Sequence, residues 1–389
     1  MEFLKMKYSR ILDIYKESER RSVFLFGPRA TGKSTLLRMQ LPNAPYFDLL
    51  DAQVYGRLLR DPTILAQETH AESLVIIDEI QKLPALLDEV HRLISTRNQR
   101  FVLTGSSARK LKRGASNLLA GRARWTNLFP LVSQEIPQFN LATYLQTGGL
   151  PQVYGDYEAY RDLRSYVDLY LREEIQAEAL TRNLASFASV LDALALSNGE
   201  EINAATLASD IGAQSRTVLN FIEVLEDTLL GFRLPVYKKT RKRKSTAHNK
   251  FYFFDVGVTN ALCKRHVIDP KGELFGKAFE HFCVLEMRAA QSYHHSDEEL
   301  SFWRTSSGYE VDLVVGDRLA IEFKSSAQVS ERHLKSLRCL REEGIIKQFW
   351  VVSQDPKTRV TEDGIEILPW QTFLERIWKP EFFSDFKNS

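Results

Sequence analysis

Gly27-Pro28-Arg29-Ala30-Thr31-Gly32-Lys33-Ser34 fits the pattern G-x-x-x-x-G-K-[ST], and it lies between the apolar run Val23-Phe24-Leu25-Phe26 and the helical pattern Ser34-Thr35-Leu36-Leu37-Arg38-Met39. A β-prone run, a glycine turn and a helix in that order make a phosphate-binding P-loop. Residues Gly27 to Thr35 are therefore expected to wrap a nucleotide. Their backbone N–H groups and the positive end of the helix dipole face the phosphate oxygens. Lys33 reaches the β- and γ-phosphates in such a loop, and the Ser34 hydroxyl is a ligand for Mg2+.

Leu74-Val75-Ile76-Ile77-Asp78-Glu79 is the second landmark, an apolar run closing on two carboxylates. A strand this apolar fits the centre of a parallel sheet covered on both faces, and ligands bind beyond the C-terminal ends of such strands. Asp78 is then expected to complete the Mg2+ shell through water, with Glu79 orienting or deprotonating the water that attacks the γ-phosphate. Phe101-Val102-Leu103-Thr104-Gly105-Ser106-Ser107 reads as a strand and turn, where Thr104 or Ser106 is placed to sense that phosphate. Arg122, with Arg124 in reserve, precedes the short run Trp125 to Phe129 and faces away from its own nucleotide. That position suits an arginine finger acting on a neighbouring subunit, which implies a homo-oligomer, as a ring. A basic helix is expected from Ala108 to Ala120, and a charged amphipathic one from Met1 to Arg21 that buries Ile11, Leu12, Ile14 and Tyr15.

The chain has 389 residues, too many for one typical core, and its composition is that of an ordinary globular protein. A formal net charge of +2 indicates no partner, so only local clusters of charge are informative. Apolar runs fall far short of the ~20 residues that span a membrane, and no signal-peptide core is evident, which places the chain in the cytoplasm. Cys263, Cys283 and Cys339 are far apart and form no zinc or disulfide pattern.

Residues 136–197 read as a helical lid and connector punctuated by Gly148-Gly149-Leu150-Pro151, a hinge or tight turn. From Ile202 to Leu230 the pattern is helix, turn, helix. The second helix buries Val218, Phe221, Ile222 and Leu225 and offers Gln214, Ser215, Arg216 and Asn220 to a DNA groove. Val236-Tyr237 and Lys250 to Asp255 flank the cationic run Lys238 to Lys244, which together read as a winged helix whose tip contacts phosphates.

The last segment holds Tyr309-Glu310-Val311-Asp312-Leu313-Val314-Val315 and Leu319-Ala320-Ile321-Glu322-Phe323-Lys324 around Gly316-Asp317. Glu322 and Lys324 share one strand face. Asp312 joins them only if Gly316 to Arg318 form a three-residue loop that pairs Val315 with Leu319, and that odd-numbered loop is the expectation. Two close carboxylates would then hold a second Mg2+ or Mn2+, Lys324 would offset charge on a scissile phosphate, and Glu280 would approach from a helix as an outer ligand.

The succession of the P-loop, Ile-Asp-Glu-Ile-Gln, Leu-Thr-Gly-Ser-Ser, Leu-Ala-Gly-Arg, Gly-Gly-Leu-Pro, Arg182-Asn183-Leu184, Phe253-Phe254-Asp255-Val256-Gly257, Phe279-Glu280, Glu310-Val311-Asp312 and Ile321-Glu322-Phe323-Lys324-Ser325-Ser326 resembles a widespread prokaryotic group. These are AAA-type ATPases with a C-terminal winged helix and a PD-(D/E)xK nuclease-like domain. The resemblance spans nearly the whole chain. It implies an α/β architecture: an AAA+-like P-loop NTPase core with a parallel sheet over residues 1–135, a helical lid over 136–197, a winged helix over 198–260, and a nuclease-like α/β domain over 261–389. It implies ATP hydrolysis by Lys33, Ser34, Asp78 and Glu79, and it puts Glu280, Asp312, Glu322 and Lys324 at the nuclease-type metal positions. Ala30-Thr31 and Phe323 depart from the family pattern without removing a functional group. Two functions are open on this reading. One is an ATPase that moves and cuts DNA; the other is an ATP-dependent assembly switch whose C-terminal domain binds DNA or protein without cutting.

Overall fold

The computed structural model describes residues 8–107, 119, 121–171, 184–240, 242–243, 245 and 248–384. The expected basic helix at 108–120 and the Arg182-Asn183 pair fall almost wholly outside them.

Strands β1 (Ser22–Phe26), β2 (Tyr46–Asp48), β3 (Leu74–Asp78), β4 (Arg100–Gly105) and β5 (Ala123–Asn127) form one parallel sheet in the order β2-β3-β4-β1-β5. Alternation along each strand divides its side chains between two cores. Phe24, Phe26, Val75, Ile77, Phe101 and Leu103 pack on one face, and Val23, Leu25, Ile76 and Val102 on the other. With both faces covered, the near-continuous apolar runs are what the sheet needs. β1 and β3 end at the same edge, which places the P-loop beside Asp78.

The N-terminal segment departs from the expected long helix. Among the described residues of this segment, Tyr8 to Arg21, only Ile14–Ser18 is helical, capped by the Asp13 side chain, and Ile11 and Tyr15 are exposed. The reason is Glu135, whose Oε1 accepts from the Ile11 N–H at 2.8 Å and pairs with Arg10 Nε at 3.0 Å. That backbone donor is committed elsewhere, so the helix starts later.

Helices Leu141–Thr147, Ala159–Ser165 and Leu184–Leu196 follow, then the pair Ala204–Asp210 and Ser215–Asp227. The second of that pair buries Val218, Phe221, Ile222, Val224 and Leu225, while Gln214, Ser215, Arg216 and Asn220 stay exposed. β6 (Gly231–Leu234) and β7 (Lys250–Phe253) then make a short antiparallel pair, followed by helix Val256–Leu262.

What joins β6 to β7 is not a free wing. Tyr237 N donates to Phe302 O at 2.7 Å, Val236 bridges Phe302, and Ser245 bridges Thr305. The connection therefore runs along β8 (Leu300–Arg304), the edge of a second sheet, whose unpaired backbone groups would otherwise face solvent. Three of its described cations have local partners: Lys239 pairs with Asp317 at 2.7 Å, Arg243 with Glu342 at 2.5 Å, and the Lys242 ammonium donates to the Glu342 carbonyl. Arg241 and Lys244 lie outside the described residues.

The second sheet has the order β12-β13-β11-β10-β9-β8, with β9 (Glu310–Val315), β10 (Leu319–Lys324), β11 (Gln348–Ser353), β12 (Arg359–Val360) and β13 (Glu366–Pro369). β10, β11 and β13 run parallel and β9 is antiparallel to β10. Helix Glu273–Tyr293 packs its Phe279, Phe282 and Val284 into the same core as Leu313, Ile321 and Phe323.

That helix also docks the N-terminal half. Buried Glu286 accepts from Ser133 N at 2.6 Å, Ser133 Oγ at 2.9 Å and Trp378 Nε1 at 2.8 Å. Burial outweighs these donors and pushes its carboxyl up to about 7. A carboxyl raised on folding stabilises most below its unfolded value near 4.5 and loses that contribution as pH rises through about 7. Denaturant unfolding should therefore show the advantage of wild type over Glu286→Gln shrinking by on the order of 2 kcal/mol between pH 5 and pH 8. A difference that stays constant would contradict this.

Candidate functional sites

The P-loop geometry follows from its glycines. A Cβ on Gly27 would lie 2.4 Å from Leu128 O, and Gly32 has φ +91°, so both positions need glycine. Lys33 opens helix Lys33–Gln40, and its buried ammonium folds back over the loop, donating to Gly27 O at 2.6 Å and Pro28 O at 3.1 Å. Those carbonyls hold the ammonium above the loop, within reach of an incoming phosphate.

Asp78 is the hub. Its Oδ2 accepts from Ser34 Oγ at 2.7 Å and from the Tyr46 hydroxyl, and its Oδ1 accepts from Thr104. Burial, then the hydrogen bond to Asp78, raises the Tyr46 hydroxyl well above its ordinary value, so Tyr46 remains a donor. Thr104 also accepts from the Glu79 N–H at 3.0 Å. Its hydroxyl therefore positions both acids at the strand end. Glu79 has φ +60°, rare for a residue with a side chain and typical of strained functional positions. Gln81 Nε2 bridges the Glu79 carboxylate and Ser106 Oγ, the latter at 3.1 Å. Ser34 and Asp78 offer the hard oxygen donors that suit Mg2+.

These residues open onto a cavity of about 500 Å³ lined by Lys33, Ser34, Thr35, Glu79, Leu150 and Tyr166, among others. Arg29, Ala30 and Gly32 border it too. Leu150 belongs to the Gly148–Pro151 turn, which is pinned rather than hinged: buried Asp255 accepts from Gly149 N at 2.7 Å and Val258 N at 2.9 Å. A Cβ on Gly148 would meet Asp255 Oδ1 at 2.0 Å. Neither arginine-finger candidate lines the cavity. Arg122 is exposed beside His91, and Arg124 borders a separate depression with Asp13 and Tyr293.

The C-terminal carboxylates are brought together by register. Val315 pairs with Leu319 and Ile321 with Leu313, so Gly316 to Arg318 form the three-residue loop and Asp312 lies opposite Glu322. Asp312 Oδ2 accepts from Phe323 N at 2.7 Å, and Lys324 Nζ pairs with Glu322 Oε1 at 2.6 Å. Burial, then the charge of Glu280, pushes Asp312 up to about 6, and burial with the Asp312 charge pushes Glu322 well up. Although burial works against it, Lys324 is raised by Asp312 and Glu322. Glu280 moves the other way: burial opposes the shift, but Lys250 and Tyr252 lower it. Mutually repelling carboxylates are the electrostatic condition a cation relieves, and Glu322 keeps a buried Oε2 with no hydrogen-bond partner. The pair thus fits a divalent ion. Among the described residues no group of three or more His, Cys, Asp or Glu is arranged to hold a metal. Glu280 is not the third ligand here, because its Oε1 is taken by Lys250 at 3.1 Å and Tyr252 at 2.6 Å.

Residues 19–137 match the family described as AAA domain. This part of the chain has an AAA-type ATPase fold. Residues 138–268 and 275–373 match two further families, the domains of unknown function DUF8612 and DUF4143. An uncharacterized protein of Mycobacterium tuberculosis is 28% identical over 305 residues, covering 75% of this chain and 67% of that protein. Another from Methanocaldococcus jannaschii is 24% identical over 430 aligned positions, covering 93% and 86%. Among solved structures, a Signal Transduction ATPase with Numerous Domains (STAND) protein with a tetratricopeptide repeat sensor from Pyrococcus horikoshii is similar at 14% identity and TM-score 0.23. That likeness covers 76% of this chain and 48% of the other, so the chain spans about half its length.

Sequence reasoning missed two residues around the AAA domain, Tyr46 on Asp78 and Arg10 beneath the P-loop. The Arg10 guanidinium donates to Thr31 O at 2.8 Å and Phe129 O at 2.6 Å while pairing with Glu135, all of it buried. Its signal was faint, one cation among several in a stretch that reads as an amphipathic helix. Lys250 was missed as well, although Lys250 and Tyr252 alternate with Phe251 and Phe253 along β7, a pattern that assigns the two polar residues to one face.

Proposed function

We propose that this chain is a Mg2+-dependent ATPase acting on DNA as a cytoplasmic homo-oligomer. The observation that carries this reading is the Asp78 hub, which ties Thr104, Tyr46 and the cavity-lining Ser34 to one buried carboxylate next to Glu79. Residues Gly27 to Thr35 cradle the triphosphate, and Lys33 meets the β- and γ-phosphates. Ser34, with Asp78 through water, would hold magnesium, which when bound neutralises charge on the phosphate oxygens. Glu79 orients the attacking water and takes its proton. Thr104 keeps both acids in place. Arg122 or Arg124 completes a neighbour's site, which is what an outward-facing guanidinium can do. No helix among the described residues is long and apolar enough to cross a membrane.

DNA contact is assigned to a winged helix formed by the two helices and the β6/β7 pair, with Gln214, Ser215, Arg216 and Asn220 on the exposed face. The C-terminal domain is read as a PD-(D/E)xK nuclease-like fold. There Asp312 and Glu322 would hold a divalent ion that, when bound, activates water, while Lys324 faces the scissile phosphate. Incubating the protein with plasmid and branched DNA plus magnesium or manganese should give cleavage that falls by at least ~10²-fold in Asp312→Ala and Lys324→Ala. Tight DNA binding without metal-dependent cleavage would instead support the assembly switch. One observation favours the form of that switch that binds protein: Lys239 and Arg243 are already paired with Asp317 and Glu342, which leaves less of the basic run for phosphates.

A further inference from the structure

β7 sends Phe251 and Phe253 into the core of the preceding helices and turns Lys250 and Tyr252 the other way, toward the C-terminal carboxylates. The strand is held there from both sides. His281, on helix Glu273–Tyr293, donates Nε2–H to Phe253 O at 2.7 Å, and Asn198 accepts from Phe253 N at 2.8 Å. The Lys250 side chain is only 3% exposed, and its ammonium lies 3.1 Å from Glu280 Oε1 and 2.6 Å from Glu310 Oε1. An ammonium this deeply buried is tolerated only because anions surround it.

We propose that Lys250 is a resident cation of the C-terminal centre. With Tyr252 it keeps Glu280 away from Asp312 and Glu322, so the centre stays one ligand short until β7 moves away from helix Glu273–Tyr293. This rests on the reading that Asp312 and Glu322 take a divalent ion. Two further observations support it. Glu322 Oε2 is buried and unpartnered, as a carboxylate waiting for a ligand-bound cation would be. Lys250 and Glu280 also line a cavity of about 500 Å³ together with Glu201, whose buried Oε1 lacks a partner. That oxygen offers the displaced ammonium a second berth. A positive charge at Glu280 opposes a doubly charged ion nearby, and a missing carboxylate lowers its affinity further. The contact thus couples the arrangement of the preceding helices to metal occupancy.

The test is Mn2+ binding by the full chain without nucleotide, in a Lys33→Ala background. Titration calorimetry and thermal melting would compare Lys250, Lys250→Met, Tyr252→Phe, Asp312→Ala and the Lys250→Met/Asp312→Ala double variant. Lys250→Met should bind Mn2+ about tenfold more tightly or better and gain a larger melting shift, with Tyr252→Phe changing in the same direction and Asp312→Ala abolishing the gain. Should Lys250→Met fail to fold, Tyr252→Phe decides. Asp312-dependent Mn2+ binding that neither variant tightens would overturn the role of Lys250 and leave the metal centre standing. No Asp312-dependent binding in any variant would overturn both.

Discussion

Glu79→Gln should leave ATP binding in place while lowering turnover by ~10²–10⁴-fold, the usual worth of a positioned general base. The amide is nearly the same size, so the left-handed turn at residue 79 and its N–H bond to Thr104 survive. Only the proton acceptor is lost. The Asp78 hub is untouched, which keeps Ser34 in place. Phosphate release under saturating ATP measures the effect, and a loss of affinity in place of a loss of turnover would assign Glu79 to binding.

Arg10→Ala should cost about 3–5 kcal/mol of stability, because it leaves Glu135 as a buried charge without its partner. Arg10 also holds the carbonyls of Thr31, within the P-loop, and of Phe129, beyond β5. The loss therefore loosens the phosphate loop as well as the fold. Burial lowers the arginine's proton affinity, yet Glu135 and Tyr293 keep it above its ordinary value, while burial raises the Glu135 carboxyl against the pull of Arg10. Replacing both partners, as Arg10→Met with Glu135→Leu, removes the unpaired charge but leaves the Thr31 and Phe129 carbonyls and the Ile11 N–H without their partners, so it should recover only part of the loss. Urea unfolding would contradict this if Arg10→Ala cost less than about 1 kcal/mol.

Features governed by local rules could be read directly from the chain. The P-loop pattern, the apolar run ending in Asp78-Glu79 and the helical period of Ser215–Asp227 each depend on residues close in sequence. Even the approach of Asp312 to Glu322 was legible, because an odd-numbered loop and the period of two determine it. Long-range pairing was not. Nothing near Arg10 announces Glu135, 125 positions later, and that pair also shortened the expected N-terminal helix. The run Lys238 to Lys244 looked like a free cationic tip, but β8 offered it an open edge and Asp317, Glu342 and Glu343 offered it counter-charges. Asp255 in Phe253-Phe254-Asp255-Val256-Gly257 carries an ordinary cap signal for the next helix. Its second bond, to Gly149, depends on the packing of distant segments.

Equilibrium ATP binding by the Glu79→Gln chain, with magnesium and with or without Lys33→Ala, bears most directly on the central claim that Lys33 and the loop amides hold a triphosphate. Saturable binding that Lys33→Ala weakens by at least ~10²-fold is the expected result, since a buried charge-assisted contact to phosphate is removed. Equal binding in the two proteins, or none in either, would contradict it.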